Sequence, residues 1–487
     1  MPGDGKVSRR DLLLQTAAGS LAAAGAAATV PASAGAQTSS GGAMKPNIMF
    51  ILADDMGYAD VSCYGRRDLV TPNIDRLAAE GLRFTQAYAN SAVCTASRVA
   101  LITGRYQYRL PIGLEEPLAR RNIGLPPDHP TLPSLLGKAG YQTALVGKWH
   151  LGPPPDFGPL KSGYDRFWGF RGGALDYFTH KATNAAPDLW DGDTKIEQTG
   201  YLTDLLGDRA VDVIDNFAKA SRPFLLSLHF NAPHWPWEGP SDEVEAKRIK
   251  SLFHFDGGTQ RTYREMIQQM DLQIGRVLQA LDRNGAAADT IVIFTSDNGG
   301  ERYADTWPFT GRKTELLEGG LRIPAVIRWP RQVAAGRVSE QVTIQMDWVP
   351  TLLALTGTAP EPVFPSDGID ISKWLTGDAA PTPRQLYWRY KYADQQAMRD
   401  GDWKYLKIHD NTFLFDVVQD PMERANLKER HKDVYDRLVA QWNEWNRTML
   451  PLDPQSYTDG FTGAQLADHF GVTAPPRPET VGTVRPG

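Results

Sequence analysis

The sequence predicts an α/β fold: a large, mostly parallel sheet with helices on both faces, followed by a smaller C-terminal α+β subdomain with an antiparallel sheet. Two observations carry this expectation. Continuous apolar runs of strand length alternate with helical patterns from Asn47 to Phe294, and near Asp367 the texture changes to short strands with few helices between them. Strands that are apolar on both faces need cover on both, which crossover helices in a parallel sheet supply. With 487 residues, 41% hydrophobic and 22% charged, there is ample chain for a large core.

In chain order, residues 1–36 read as an export address. Ser8-Arg9-Arg10-Asp11-Leu12-Leu13 is a twin-arginine pattern, an uncharged Ala/Leu/Gly stretch follows, and both Ala32-Ser33-Ala34 and Ala34-Gly35-Ala36 suit cleavage, which puts the mature start near Gln37. The stretch is too weakly apolar to anchor the chain, and no later window has the roughly 20 continuous apolar residues of a spanning helix. The expectation is a periplasmic or secreted protein without stable membrane insertion, exported by the Tat machinery. Three basic residues (Lys6, Arg9, Arg10) and two acidic ones (Asp4, Asp11) leave with the leader, so the net charge of -5 becomes -6. That balance offers no basic footprint for nucleic acid. Two cysteines, Cys63 and Cys94, build no disulfide framework and no CxxC site.

A Ser/Gly/Ala linker spans 37–45, and the large α/β domain is expected over 46–366. Within it Asn47–Leu52, Gln142–Val146, Phe224–Phe230 and Thr290–Phe294 read as buried strands, Asn73–Leu82 as a helix, and Met266, Ile267, Met270, Ile274, Val277, Leu278 and Leu281 as one helix face. The subdomain over 367–450 has strand candidates at Leu386–Trp388, Tyr405–Ile408 and Phe413–Phe415 and a helix over Val434–Trp445. Residues 451–487, with Pro, Gly and Thr throughout, form an extended tail expected to wrap the body.

Ligands of an open parallel sheet bind outside the carboxyl ends of its strands, so the polar residues that follow each run are the informative ones. Asp54-Asp55 follows the first strand, Lys148 and His150 the Gln142 run, His234 the Phe224 run, and Asp297-Asn298 the Thr290 run. Singly, such residues are ordinary turn formers; four strand ends in sequence point to a site. Asp54, Asp55, Asp297 and Asn298 offer hard oxygen ligands, which suits Ca²⁺ ahead of Mg²⁺ and argues against zinc. In extended backbone Lys148 and His150 share a face. Cys94 stands just before a helical run, Arg98–Ile102, where a helix N-terminus favours an anion.

Cys94-Thr95-Ala96-Ser97-Arg98 resembles the sulfatase signature Cys-x-Pro/Ala-x-Arg, whose cysteine is oxidised to formylglycine (3-oxoalanine). Asp54-Asp55-Met56-Gly57-Tyr58, Thr71-Pro72-Asn73-Ile74-Asp75, Thr103-Gly104-Arg105, Gly147-Lys148-Trp149-His150-Leu151-Gly152, Ala232-Pro233-His234, Ser296-Asp297-Asn298-Gly299 and Glu318-Gly319-Gly320-Leu321-Arg322 resemble the same family in the same order. The chain from about Pro46 to Trp445 is thus similar to type I sulfatases of the arylsulfatase and N-acetylgalactosamine-6-sulfatase kind. The resemblance implies an alkaline phosphatase-like fold, sulfate ester hydrolysis, and a formylglycine-generating maturation enzyme as partner. Ala96 stands where the commonest signature has proline, which implies slower conversion by aerobic maturation enzymes.

The resemblance also assigns roles. Asp54, Asp55, Cys94, Asp297 and Asn298 would hold the metal. One hydroxyl of the hydrated aldehyde at position 94 attacks sulfur, and the other expels sulfate as the aldehyde reforms. Arg98 and Lys148 would stabilise the oxyanion and His150 would accept a proton. His234 and Lys313, the lysine placed by counting back from Glu318 and preferred over Arg312, would hold sulfate oxygens, one of them protonating the alcohol. Three carboxylates, a divalent metal, Arg98, Lys148 and Lys313 leave a net +2 before histidines, suited to an anion. Arg105 and Glu318 read as structural, and His180, His229 and His254 receive no catalytic role. Gly169–Phe178 resembles a segment of the same sulfatase groups, and Trp235 and Trp237 offer sugar-stacking surfaces, so sulfated carbohydrate stands ahead of aryl sulfate. The alternatives are a phosphonate or phosphate ester hydrolase on the same scaffold and a non-catalytic periplasmic protein that binds sulfated glycans.

Overall fold

The computed structural model describes residues 45–471 apart from 221, 378 and 470. The twin-arginine segment, its cleavage sites, the linker before Lys45 and the end of the tail lie outside the described residues. Among those described, the main sheet has ten strands in the spatial order Arg337–Ser339, Leu82–Phe84, Ala325–Arg328, Thr290–Ser296, Asn47–Ala53, Phe224–His229, Gln142–Lys148, Arg166–Phe170, Trp190–Asp191 and Thr194–Lys195. The run from Thr290–Ser296 to Arg166–Phe170 is parallel. Ala325–Arg328 is antiparallel to both its neighbours, so the sheet is mixed but mostly parallel.

The apolar runs are continuous because both faces are covered. In the first strand Met49, Ile51 and Ala53 enter one core, while Ile48, Phe50 and Leu52 enter another, following the two-residue period of a strand. Helices Leu202–Phe217 and Gln260–Arg283 close the first core; Cys94–Thr103, Leu132–Lys138 and Trp348–Thr356 close the second. Register aligns the strand ends, with Ala53 opposite Ser296 and both Leu52 and Gly147 opposite His229. Asp54, Asp297 and Lys148 therefore emerge along one edge. The helix expected over Asn73–Leu82 is shorter, Pro72–Ala79, because Leu82 begins a strand that pairs with Ile327.

A second sheet of four antiparallel strands, Gln385–Tyr390, Gln395–Asp400, Trp403–Ile408 and Asn411–Asp416, packs against helix Lys432–Asn446. The strand Gln395–Asp400 has no apolar run to betray it. Its buried polar residue Arg399 instead reaches Tyr88 and Gln86. A fully buried ion cluster joins this sheet to the main body: Lys404 Nζ lies 3.0 Å from Glu318 and 2.9 Å from Glu423, and Glu318 also accepts from Arg322 at 2.6 Å. Lys404 and Arg322 hold the Glu318 carboxyl far below the usual range although burial opposes them. The described tail is pinned as well, for Thr458 pairs in a parallel bridge with Glu116. Among the described residues no helix is long and apolar enough to cross a membrane.

Candidate active site

The residues expected to form the site converge at the strand ends. Lys148 Nζ donates to Asp54 Oδ2 at 2.6 Å, and Lys313 Nζ donates to Asp55 Oδ2 at 2.6 Å. Asn298 Nδ2 donates to Asp55 Oδ1 at 2.8 Å, and Arg98 grips Asp297 Oδ2 through Nε at 3.1 Å and Nη2 at 2.9 Å. Every one of these side chains is buried. Arg312, the discarded neighbour of Lys313, turns outward to Asp468. His180 bonds the Gly200 carbonyl, and His254 meets Glu245. His229 lies against Arg98 and the Lys148 carbonyl, and so supports the site from behind.

Cys94 is the first residue of its helix rather than the residue before it. All ten residues of that helix are buried, because its apolar residues divide between two cores, Val99, Leu101 and Ile102 on one side and Ala96 and Ala100 on the other. Arg98 stands one turn after Cys94 and so shares its face. Burial pushes the Cys94 thiol up to about 12, against the pull of Lys148 and Lys313. The thiol is therefore neutral near pH 7 and a poor nucleophile as it stands. Asp55, His150 and Thr314, which follows Lys313, all have positive φ (60°, 57° and 71°), a left-handed conformation that non-glycine residues adopt at a cost of roughly 1–3 kcal/mol. Three such residues around one cysteine mark where the surrounding packing overrides local preference.

The two histidines are neutral. Burial first, then Lys148, holds His150 well below its ordinary value, and burial with Lys313 and Lys148 does the same to His234. His150 Nε2 faces the Leu118 carbonyl at 2.9 Å and so carries the proton, leaving Nδ1, which is buried and unpartnered, as a free acceptor. In His234, Nδ1 faces the Trp235 carbonyl at 2.7 Å, leaving Nε2 as an acceptor 3.4 Å from Asp55 Oδ2.

Acceptors facing acceptors in a buried site call for a cation. Asp54, Asp55, Cys94 and His234 each place a ligand atom within 4.8 Å of the others. Asp54 Oδ1 and Asn298 Oδ1 are buried and accept no hydrogen bond. Burial pushes Asp54 up to about 8, with Asp297 and Asp55 adding to the rise and Lys148 opposing it. Arg98, followed by Lys148, holds Asp297 below the usual range despite its burial. Hard oxygens without donors suit a divalent cation such as Ca²⁺ or Mg²⁺. The grouping adds His234, which sequence reasoning assigned to sulfate. Asp297, outside that grouping, gives Oδ2 to Arg98 and Oδ1 to the Asp55 amide, which leaves Oδ1 one lone pair for a cation.

A cavity of about 600 Å³ opens over Cys94, with His150, His234 and Lys313 in its wall. Sequence reasoning missed Phe253, Phe255, Glu301 and Asp459, which also line it. None lies in a strand-end motif, although Glu301 follows Asn298 by three residues. Trp237 is 1% exposed and packs inside the body, so of the two tryptophans only Trp235 reaches the cavity.

The pattern of the sulfatase family matches residues 46–358. The chain belongs to the sulfatase family. It is accordingly a sulfuric ester hydrolase, of a family that works through formylglycine and a divalent metal. A second pattern, that of the C-terminal part of N-sulphoglucosamine sulphohydrolase, matches residues 311–448. Human N-acetylgalactosamine-6-sulfatase is 36% identical over 357 residues, 68% of this sulfatase and 66% of the human chain. Mouse arylsulfatase J is 30% identical, covering 85% of this chain and 79% of its own. Among solved structures, Ps i-CgsB in complex with k-i-k-neocarrahexaose aligns with a TM-score of 0.77 and 31% identity over 87% of this chain and 97% of that one.

Proposed function

We propose that this sulfatase hydrolyses the sulfate ester of a carbohydrate, using formylglycine made from Cys94 and a Ca²⁺ ion held by Asp54, Asp55, Asp297, Asn298 and residue 94. The observation that carries the proposal is the buried Cys94, neutral at a helix N-terminus, with Asp54, Asp55 and His234 beneath a cavity much larger than sulfate. A thiol cannot expel sulfate from itself, whereas a hydrated aldehyde supplies a second hydroxyl on the same carbon for that step. When bound, the cation polarises the nucleophile and a sulfate oxygen. Arg98, paired with Asp297, and Lys148, paired with Asp54, stabilise developing negative charge beside residue 94. His150 Nδ1, the free acceptor, takes the proton of the second hydroxyl. Lys313, kept charged by Asp55 although burial opposes it, donates to a sulfate oxygen and protonates the departing alcohol, while His234, whose free Nε2 is an acceptor beside Asp55, stands at the cation site.

A row of rings leads from the chemistry toward solvent: His234 to Trp235 at 4.2 Å, Trp235 to Phe253 at 4.7 Å and Phe253 to Phe255 at 5.4 Å between centroids. Phe253 and Phe255 are 38% and 52% exposed, so parts of both rings are open to a ligand. This row supports a sugar over a small aryl group, as does the k-i-k-neocarrahexaose in complex with the related Ps i-CgsB. Export through the Tat system, after maturation of Cys94 in the cytoplasm, belongs to the same proposal. So does the division into a catalytic part over 46–366, a subdomain over 367–450 and a tail.

The test is turnover of 4-nitrophenyl sulfate, phosphate and phosphonate beside sulfated mono- and oligosaccharides. The sulfate esters should lead and at least one sugar sulfate should be cleaved. Faster turnover of the phosphonate or phosphate, or refusal of every sugar sulfate, would overturn the corresponding part.

A further inference from the structure

Glu301 is 7% exposed, its carboxylate accepts no hydrogen bond from a described residue, and Oε2 is enclosed. A buried carboxylate left without donors is expensive, and natural structures keep few of them without a reason. Its position is imposed by the active-site loop, since the Lys313 amide donates to the Gly300 carbonyl at 2.9 Å and the Ala304 amide to the Glu301 carbonyl at 2.8 Å. Burial pushes the carboxyl up to about 8 against the pull of Lys313, while Asp55 and Asp459 add to the rise.

Asp459 arrives from the other end of the chain. Oδ1 accepts the Gly460 amide at 2.9 Å, and Oδ2 accepts nothing from a described residue. Its carboxyl feels the charges of both Lys313 and Arg120. The backbone there is firmly tied: the Asp459 amide donates to the Glu116 carbonyl at 2.7 Å, the Glu116 amide to the Tyr457 carbonyl at 2.9 Å, and the Tyr390 hydroxyl to the Asp459 carbonyl at 3.0 Å. A Cβ on Gly460 would come within 1.9 Å of the Tyr392 ring, so the turn requires glycine.

Both carboxylates line the cavity that opens over Cys94, with Lys313 and Arg120 also in its wall. Where ionised they repel the sulfate half of a substrate, and a protonated Glu301 still presents a carbonyl oxygen that needs a donor. They do not suit an ammonium group, because Lys313 and Arg120 already supply positive charge beside them. Neutral hydroxyl donors remain, and a sugar ring offers several while an aryl alcohol offers none once esterified. We propose that Glu301 and Asp459 read the alcohol half of the substrate by accepting hydrogen bonds from the hydroxyls of the sugar that carries the sulfate. The proposal rests on the carbohydrate reading above and adds the residues that enforce it. A site built to hydrogen-bond hydroxyls penalises ligands that lack them, because its acceptors then stay unpaired.

Binding to the Cys94→Ala protein, which needs no maturation, tests this by calorimetry with monosulfated hexoses and N-acetylhexosamines beside 4-nitrophenyl sulfate. In Glu301→Leu and Asp459→Ala the preference for sugar sulfate over 4-nitrophenyl sulfate should fall by about tenfold or more, and Glu301→Gln and Asp459→Asn should recover part of it. Circular dichroism identifies a variant that fails to fold; if Glu301→Leu does, Glu301→Gln and the Asp459 pair decide. Sugar binding with an unchanged preference in all folded variants overturns the assignment of the pair alone. No sugar sulfate bound by the parent protein, with 4-nitrophenyl sulfate bound, overturns the carbohydrate reading and the pair with it.

Discussion

Asp54→Asn separates what the buried carboxylate costs from what it does. Without a cation, burial pushes Asp54 up to about 8, whereas an aspartate in the unfolded chain titrates at ~3.9. The folded value lies above the unfolded one, so the folded state holds an extra proton between roughly pH 4 and 8. Its contribution is fully present below that window and is lost as pH rises through it. Each unit is worth ~1.4 kcal/mol, so metal-free protein loses up to ~4 kcal/mol by about pH 7 from this group. An amide cannot ionise, yet keeps an oxygen for Lys148 Nζ, which now donates to Oδ2 at 2.6 Å. The metal-free Asn variant should therefore be more stable than metal-free wild type at about pH 7, by ~1–4 kcal/mol once the weakened Lys148 contact is discounted. Added Ca²⁺ should stabilise wild type strongly and the variant little, since binding draws on the ionised form. Urea unfolding of chelated and Ca²⁺-loaded protein from about pH 5 to about pH 8 measures both effects. A chelated wild type equally stable across that range, or a variant stabilised by Ca²⁺ as much as wild type, refutes the reasoning.

Cys94→Ala should abolish turnover and leave circular dichroism unchanged, and mass analysis of the residue 94 peptide from active wild type should find the aldehyde; near wild-type activity in the variant would end the formylglycine assignment. Lys404→Met removes a buried cation shared by Glu318 and Glu423, and should cost ~3–5 kcal/mol by leaving those carboxylates uncompensated; a change of under ~1 kcal/mol in urea unfolding would show that the ion cluster does not hold the second sheet in place. Arg9→Lys with Arg10→Lys should retain the protein inside the cell, which fractionation measures, and undiminished recovery outside the cytoplasm would exclude the twin-arginine route.

What the sequence determined by itself was local. The unbroken apolar run from Ile48 to Leu52 must be a strand covered on both faces, and a polar pair after such a strand must sit at the sheet's carboxyl edge, so Asp54, Asp55, Lys148, His150 and Asp297 were legible in the chain alone. Contiguous motifs carried Cys94 and Arg98 in the same way. Tertiary structure decided what these residues face. Lys313 meets Asp55 across 258 positions of chain and Arg98 meets Asp297 across 199, and those contacts depend on strand register and helix placement rather than on any local pattern. The same holds for Trp235 facing the cavity while Trp237 is buried two residues later, and for His234 joining Asp54, Asp55 and Cys94. Glu301 and Asp459 were invisible for the plainest physical reason: an acidic residue in a loop and another in a tail look like solvated surface in sequence, and only their meeting in one cavity wall, with Lys313 acting on both, makes them a pair.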